Sequence, residues 1–119
     1  MVEYAFSIMV LLYVIMGIVD LGRAFIAYNI VANTSREAAR YGVISSRSSS
    51  DIVSYGASKA TIGGVTVTVP TRGTAGNPSD PVVVQASYSF SPITPLISSI
   101  CCSGGPLSLV SRSSMYVEQ

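Results

Sequence analysis

The sequence predicts an α+β protein. A long N-terminal helix, residues 1 to about 44, packs by its second half on a small antiparallel β-sheet supplied by residues 45–119. Three observations predict this. The first is a 16-residue run without charge, Tyr4–Val19 (YAFSIMVLLYVIMGIV), bounded by Glu3 and Asp20. The second is its continuation, LGRAFIAYNIVANTSREAARYGVI. There Leu21, Ala24, Phe25, Tyr28, Val31, Ala32, Ala38, Ala39 and Gly42 recur at steps of three and four, with Ser35 filling the gap, the spacing of an amphipathic helix. The third is a pair of valine-rich segments, VTVTV from Val65 and VVVQASYSF from Val82, whose β-branched residues suit a half-buried pleated strand.

Each element follows from local chemistry. No proline occurs before Pro70, so nothing forces a break in the first helix. Gly17 and Gly22 are its weak points, at about 1 kcal/mol each relative to Ala. Its first half is apolar all round, and that half needs lipid or the same half of other subunits. Sixteen helical residues span about 24 Å, slightly short of a bilayer core of roughly 30 Å, with Met1, Val2 and Leu21 extending the run. A secretory signal peptide would carry a basic head and a small-x-small cleavage site; here Glu3 is acidic and no Lys or Arg precedes Arg23. Ser45–Ser50 (SSRSSS) is a polar turn. Asp51 opens a short helix, DIVSYGASKATI, with Ile52, Tyr55, Ala60 and Ile62 as core contacts and Gly63-Gly64 ending it. Strands are expected at Val65–Val69, Val82–Phe90 and Leu107–Val117, separated by a Pro70–Pro81 loop and an irregular Ser91–Pro106 segment.

Composition narrows the function classes. Apolar residues make up 49% of the chain and charged ones 11%, against about 25% charged in ordinary soluble domains. The net charge is +1, which offers no basic field to nucleic acid. There is no His, so neither a Ser-His nor a Cys-His pair can form and most zinc sites are excluded. Neither S-x-x-K nor G-x-S-x-G occurs. No enzyme activity, cofactor or metal is therefore expected. Cys101-Cys102 allows a vicinal disulfide, cross-links to other subunits, or two free thiols. Adjacent α-carbons lie only about 3.8 Å apart, which strains the first option. The Ser- and Thr-rich segments read either as a charge-poor solvated surface or as sites of O-glycosylation.

Three submotifs in order, VEYAF at Val2–Phe6, GIVDLGRAF at Gly17–Phe25 and SREAARYGV at Ser35–Val43, resemble the TadE-like family of pilin-like proteins from tight-adherence (type IV pilus-like) systems. The resemblance covers the first 43 residues or so. Beyond them only the valine-rich strands and the Ser114-Met115-Tyr116-Val117-Glu118 ending are similar in outline. The resemblance implies a type IV pilin-like fold and a precursor in the cytoplasmic membrane. It also implies a prepilin peptidase that trims the chain and an assembly platform that moves it into an extracellular, self-associated filament for adhesion or surface attachment. Glu3 stands third where the family's glutamate is usually the fifth mature residue, so the chain either begins inside that motif or is processed differently. The proline common in the family's apolar run is absent, which favours a straighter helix.

On this reading the subunit interface consists of Glu3, Tyr4, Phe6, Met9, Leu12, Tyr13, Met16, Asp20 and Arg23. The resemblance implies that Glu3 meets the N-terminal amine of a neighbouring subunit. The residues alone allow a milder role, a carboxylate at the positive end of a helix dipole. Asp20 and Arg23, three apart, can pair on one helix face. That pair either registers neighbouring subunits or is an ordinary surface pair, with Asp20 marking the interfacial end of the apolar run. The alternative to a filament subunit is a single-span, membrane-anchored binding or scaffold protein, or a minor or priming pilin outside the filament body.

Overall fold

The computed structural model describes residues 2–44, 46–74, 80–94, 98–99 and 104–117. Their order is α1 (Val2–Gly42), α2 (Ser49–Lys59), β1 (Thr66–Thr71), β2 (Val82–Phe90) and β3 (Leu107–Met115). The arrangement is α+β: a long N-terminal helix with a three-stranded antiparallel sheet of order β1-β2-β3. The chain divides into two compact units. One comprises residues 1–26 and 90–107; the other comprises 27–89 and 108–119.

The second unit holds the hydrophobic core. Val31, Ala38 and Ala39 of α1 and Ile52 of α2 meet Val67, Val82, Val84, Ala86 and Val117. The buried face of α1 in this unit is Ala27, Val31, Thr34, Ser35, Ala38, Ala39 and Gly42, so it consists mostly of small residues. The large members of the expected stripe, Leu21, Phe25 and Tyr28, are instead exposed. Close approach explains the selection. A Cβ on Gly56 would meet Ala38 Cβ at 3.0 Å and Val67 Cγ1 at 3.1 Å, and one on Gly42 would meet Ile52 Cδ1 at 3.0 Å. No larger side chain fits where α1, α2 and the sheet converge. The buried Ser35 does not disturb this packing: its Oγ donates to the Ala32 carbonyl at 2.9 Å and lies 3.2 Å from Ser111 Oγ, which satisfies it.

The central strand β2 matches its expected bounds and buries Val82, Val84 and Ala86 in alternation. On its β1 side Val67 pairs with Ala86 and Thr68 with Gln85, and the register shifts before Thr71. Pro70 stands in that shift, so β1 runs two residues beyond the expected Val69. A proline lacks the N–H that a central strand needs, but an edge strand with an irregularity tolerates it.

The short helix starts earlier than expected. Ser48, not Asp51, is the N-cap, and the two form a capping box. The Asp51 N–H donates to Ser48 Oγ at 3.2 Å, while the Ser48 N–H and hydroxyl donate to Asp51 Oδ2 at 3.1 and 2.8 Å. The Ser48 hydroxyl, with its backbone N–H, holds the Asp51 carboxyl below the ordinary carboxylate range. The helix stops at Lys59, before Gly63-Gly64, and Gly64 takes a left-handed φ of 88° in the turn leading to β1.

The end of α1 is closed from a distance. Arg72 Nη1 donates to the Gly42 carbonyl at 2.7 Å, and Arg72 Nη2 donates to the carbonyls of Ile44 and Arg47. Carbonyls at a helix C-terminus have no partner within the helix, and a guanidinium there also complements the helix dipole. Beside it, the Tyr41 and Tyr55 rings stack at 4.1 Å and 9° and join α1 to α2. Arg47 lies 4.8 Å above Tyr41 and Lys59 5.4 Å above Tyr55, so cations face both rings.

Candidate assembly and membrane surface

The other unit contains the apolar half of α1. Along it, Tyr4, Phe6, Met9, Leu12, Tyr13 and Met16 are all exposed, between 44% and 76%. A helix that is apolar on every side has no face to offer water. Exposed apolar patches of this extent mark association or membrane surfaces. The helix is long and apolar enough to cross a membrane. Met9, Leu12, Tyr13 and Met16 line one groove of about 280 Å³. Their spacing explains this: positions i, i+3, i+4 and i+7 fall on one helix face. Four of the residues expected at a subunit interface thus share one concave apolar strip.

Glu3 is exposed at the head of the helix, and its carbonyl accepts from Ser7 Oγ at 3.0 Å. Asp20 is different. It is 2% exposed, and its carboxylate meets both backbone and side-chain donors. The Thr94 backbone N–H donates to Oδ2 at 2.7 Å, and Arg23 Nη1 donates to Oδ1 at 3.4 Å. Arg23 itself is half-exposed, and its guanidinium lies 5.6 Å from the Phe90 ring centroid. The expected Asp20–Arg23 pair therefore exists, but it is not a simple surface pair. The shorter bond is to a backbone amide 74 residues away in sequence. A buried carboxylate is destabilising unless partnered, and here the chain itself supplies the partners.

Thr94 is the participant that sequence reading missed. It lies in a segment expected to be irregular, and a backbone N–H carries no residue-type signal. The Thr94 hydroxyl is buried beside the same carboxylate. Cys101 and Cys102 lie outside the described residues, so their pairing stays an open expectation.

A second concavity, about 350 Å³, lies in the other unit and is lined by Glu37, Arg40, Tyr41, Ile44 and Tyr55. Its aromatic rings are engaged with each other and with Arg47 and Lys59. Among the described residues no group of three His, Cys, Asp or Glu side chains is placed to hold a metal ion.

Geometry thus defines a class: a small α+β protein whose N-terminal helix carries an exposed, membrane-competent apolar half and a docked carboxylate at the far end of its charge-free run. Comparison with known proteins places that helix more narrowly. The family described as TadE-like protein matches residues 1–40, nearly the whole of α1. The match bears out the resemblance read from the VEYAF, GIVDLGR and SREAARY segments. No curated protein and no solved structure matches the chain.

Proposed function

We propose that this chain is a structural pilin subunit. It polymerises through the apolar half of α1 into an extracellular helical filament for adhesion or surface attachment. Before assembly the same helix holds it in the cytoplasmic membrane, where a prepilin peptidase and an assembly platform act on it. The observation that carries this reading is the Met9–Leu12–Tyr13–Met16 groove on an otherwise exposed apolar helix. A groove of that composition has no use in water, and the equally apolar side chains of a second copy are chemically suited to fill it. The match to the TadE-like family over α1 supports it, and that family is pilus-related and structural rather than enzymatic.

Mechanical shearing of cells tests the proposal. The chain is expected in the sheared, sedimentable filaments. Leu12→Ala, which removes a large side chain from the groove without adding a charge to the apolar run, is expected to reduce its recovery there while leaving it in the membrane fraction. Filaments that lack the chain would refute the proposal. The membrane competence of α1 equally favours a second reading, a single-span anchored scaffold or a minor or priming pilin. On that reading the chain stays with the cells after shearing.

A further inference from the structure

The Tyr41–Tyr55 stack has a chemistry that the packing of α1 on α2 does not require. Its ring centroids are 4.1 Å apart and its planes 9° from parallel. Of the chain's seven tyrosines, these two alone stack on one another among the described residues. With the inner faces together, Arg47 at 4.8 Å and Lys59 at 5.4 Å take the outer ones, so cations hold the pair from both sides. The rings are half-buried rather than sealed, and both line the open hollow of about 350 Å³ beside Glu37, Arg40 and Ile44. The chain has no Trp, so its phenols are the most readily oxidised of its aromatic rings.

We propose that Tyr41 and Tyr55 are a site of oxidative modification, joined within one chain into dityrosine by a one-electron oxidant of the kind a haem peroxidase makes from hydrogen peroxide. Each phenol gives up one electron and one proton and becomes a phenoxyl radical. The two radicals form a carbon–carbon bond between ring positions next to the oxygens. The hydrogens displaced from those carbons pass as protons to the oxygens, which restores both phenols. The pair thus loses two hydrogen atoms in all. The peroxide takes up the two electrons and two protons as its O–O bond breaks, leaving two waters. The stack supplies the approach, because the unpaired density of a phenoxyl lies above and below its ring. Reacting groups already held together have a large advantage over groups that must meet by diffusion. The open side of the hollow leaves room for the rings to turn about the new bond. The product ties α1 to α2 covalently with no cysteine, closing the chain between residues 41 and 55 and so restricting its unfolded state as a disulfide would.

The proposal is independent of polymerisation, so its test uses the detergent-solubilised full chain. Thiols are alkylated first, because they reduce phenoxyl radicals, and the chain is then treated with a haem peroxidase and hydrogen peroxide. Trypsin cuts after Arg40, Arg47 and Lys59, which isolates Tyr41 in fragment 41–47 and Tyr55 in fragment 48–59. The expected product is these two fragments joined, lighter than their sum by two hydrogens, and recovered from the single-chain band of a denaturing gel with dityrosine fluorescence. About tenfold dilution of the protein is expected to leave the yield per chain unchanged, as an intramolecular step requires. Tyr55→Phe keeps a ring in the stack and is expected to abolish both the joined fragment and the single-chain fluorescence. Tyr116 is 63% exposed and in no ring stack among the described residues, so Tyr116→Phe is expected to change neither. Absence of the joined fragment, while free tyrosine added to the same reaction is coupled, would overturn the proposal. So would a joined fragment found only in cross-linked dimers and lost on dilution, or single-chain fluorescence that survives Tyr55→Phe.

Discussion

Arg72 closes the end of α1 from outside the helix. Its fork reaches three carbonyls at Gly42, Ile44 and Arg47, and hydrogen bonds from a charged donor are each worth about 1.5–3 kcal/mol at most. Arg72→Ala is expected to destabilise the protein by roughly 2–3 kcal/mol in denaturant titrations of the detergent-solubilised chain. Arg72→Lys is expected to recover only part of that, since an ammonium cannot reproduce the fork. Gly56 makes the opposite kind of argument, because its value lies in what it lacks. Gly56→Ala gains about 1 kcal/mol of helix propensity but drives a Cβ to 3.0 Å from Ala38 Cβ, and overpacking typically costs about 1–3 kcal/mol. A net loss near 1 kcal/mol is expected in the same titration. Neither role was legible in the sequence. Arg72 stood in a loop of turn-forming residues. Gly56 stood in an eleven-residue helix where propensity alone argues for replacing it.

At the scale of elements, periodicity located the helix and the strands and the buried face of the helix from Val31 to Gly42, but it wrongly extended that face to the large residues Leu21, Phe25 and Tyr28. The reason is physical. A hydrophobic stripe of Leu21, Phe25 and Tyr28 reads as a core face on transfer energy alone. The core takes only the small members of that stripe, among them Ala38, Ala39 and Gly42, because the backbones approach closely there. The large side chains are left outside, where a membrane or a second copy can meet them. Strand β2 was legible to the residue because it is central and buried. The edge strand β1 was not, because Pro70 reads as a breaker and an edge tolerates it. The short helix depends on its capping box, which makes it responsive to acid. The Asp51 carboxyl is held below its ordinary range by the Ser48 hydroxyl and N–H. Its folded value thus lies below its unfolded one. Its contribution is present above the unfolded carboxylate value, about 3.9, and is lost as pH falls through the folded value. Helix α2 is therefore expected to loosen below about pH 4, as faster amide exchange in residues 49–53. Asp51→Asn is expected to abolish that pH dependence, and Ser48→Ala to weaken the helix at neutral pH by about 1 kcal/mol.

For the molecule as a whole, one physical fact carries the proposed function. The first half of α1 is greasy on every side, and the described residues leave most of it uncovered. Before assembly a bilayer can shelter it. On the proposed function, a second copy of the same surface shelters it once it leaves the membrane. The most direct test places a photoreactive benzoyl-phenylalanine at Leu12, irradiates intact cells, shears them and maps the adducts by mass spectrometry. The account predicts covalent dimers in the sheared filaments, joined from position 12 to Met9, Tyr13 or Met16 of a second copy. Sheared filaments that contain the chain but yield no adduct between two α1 helices would contradict it.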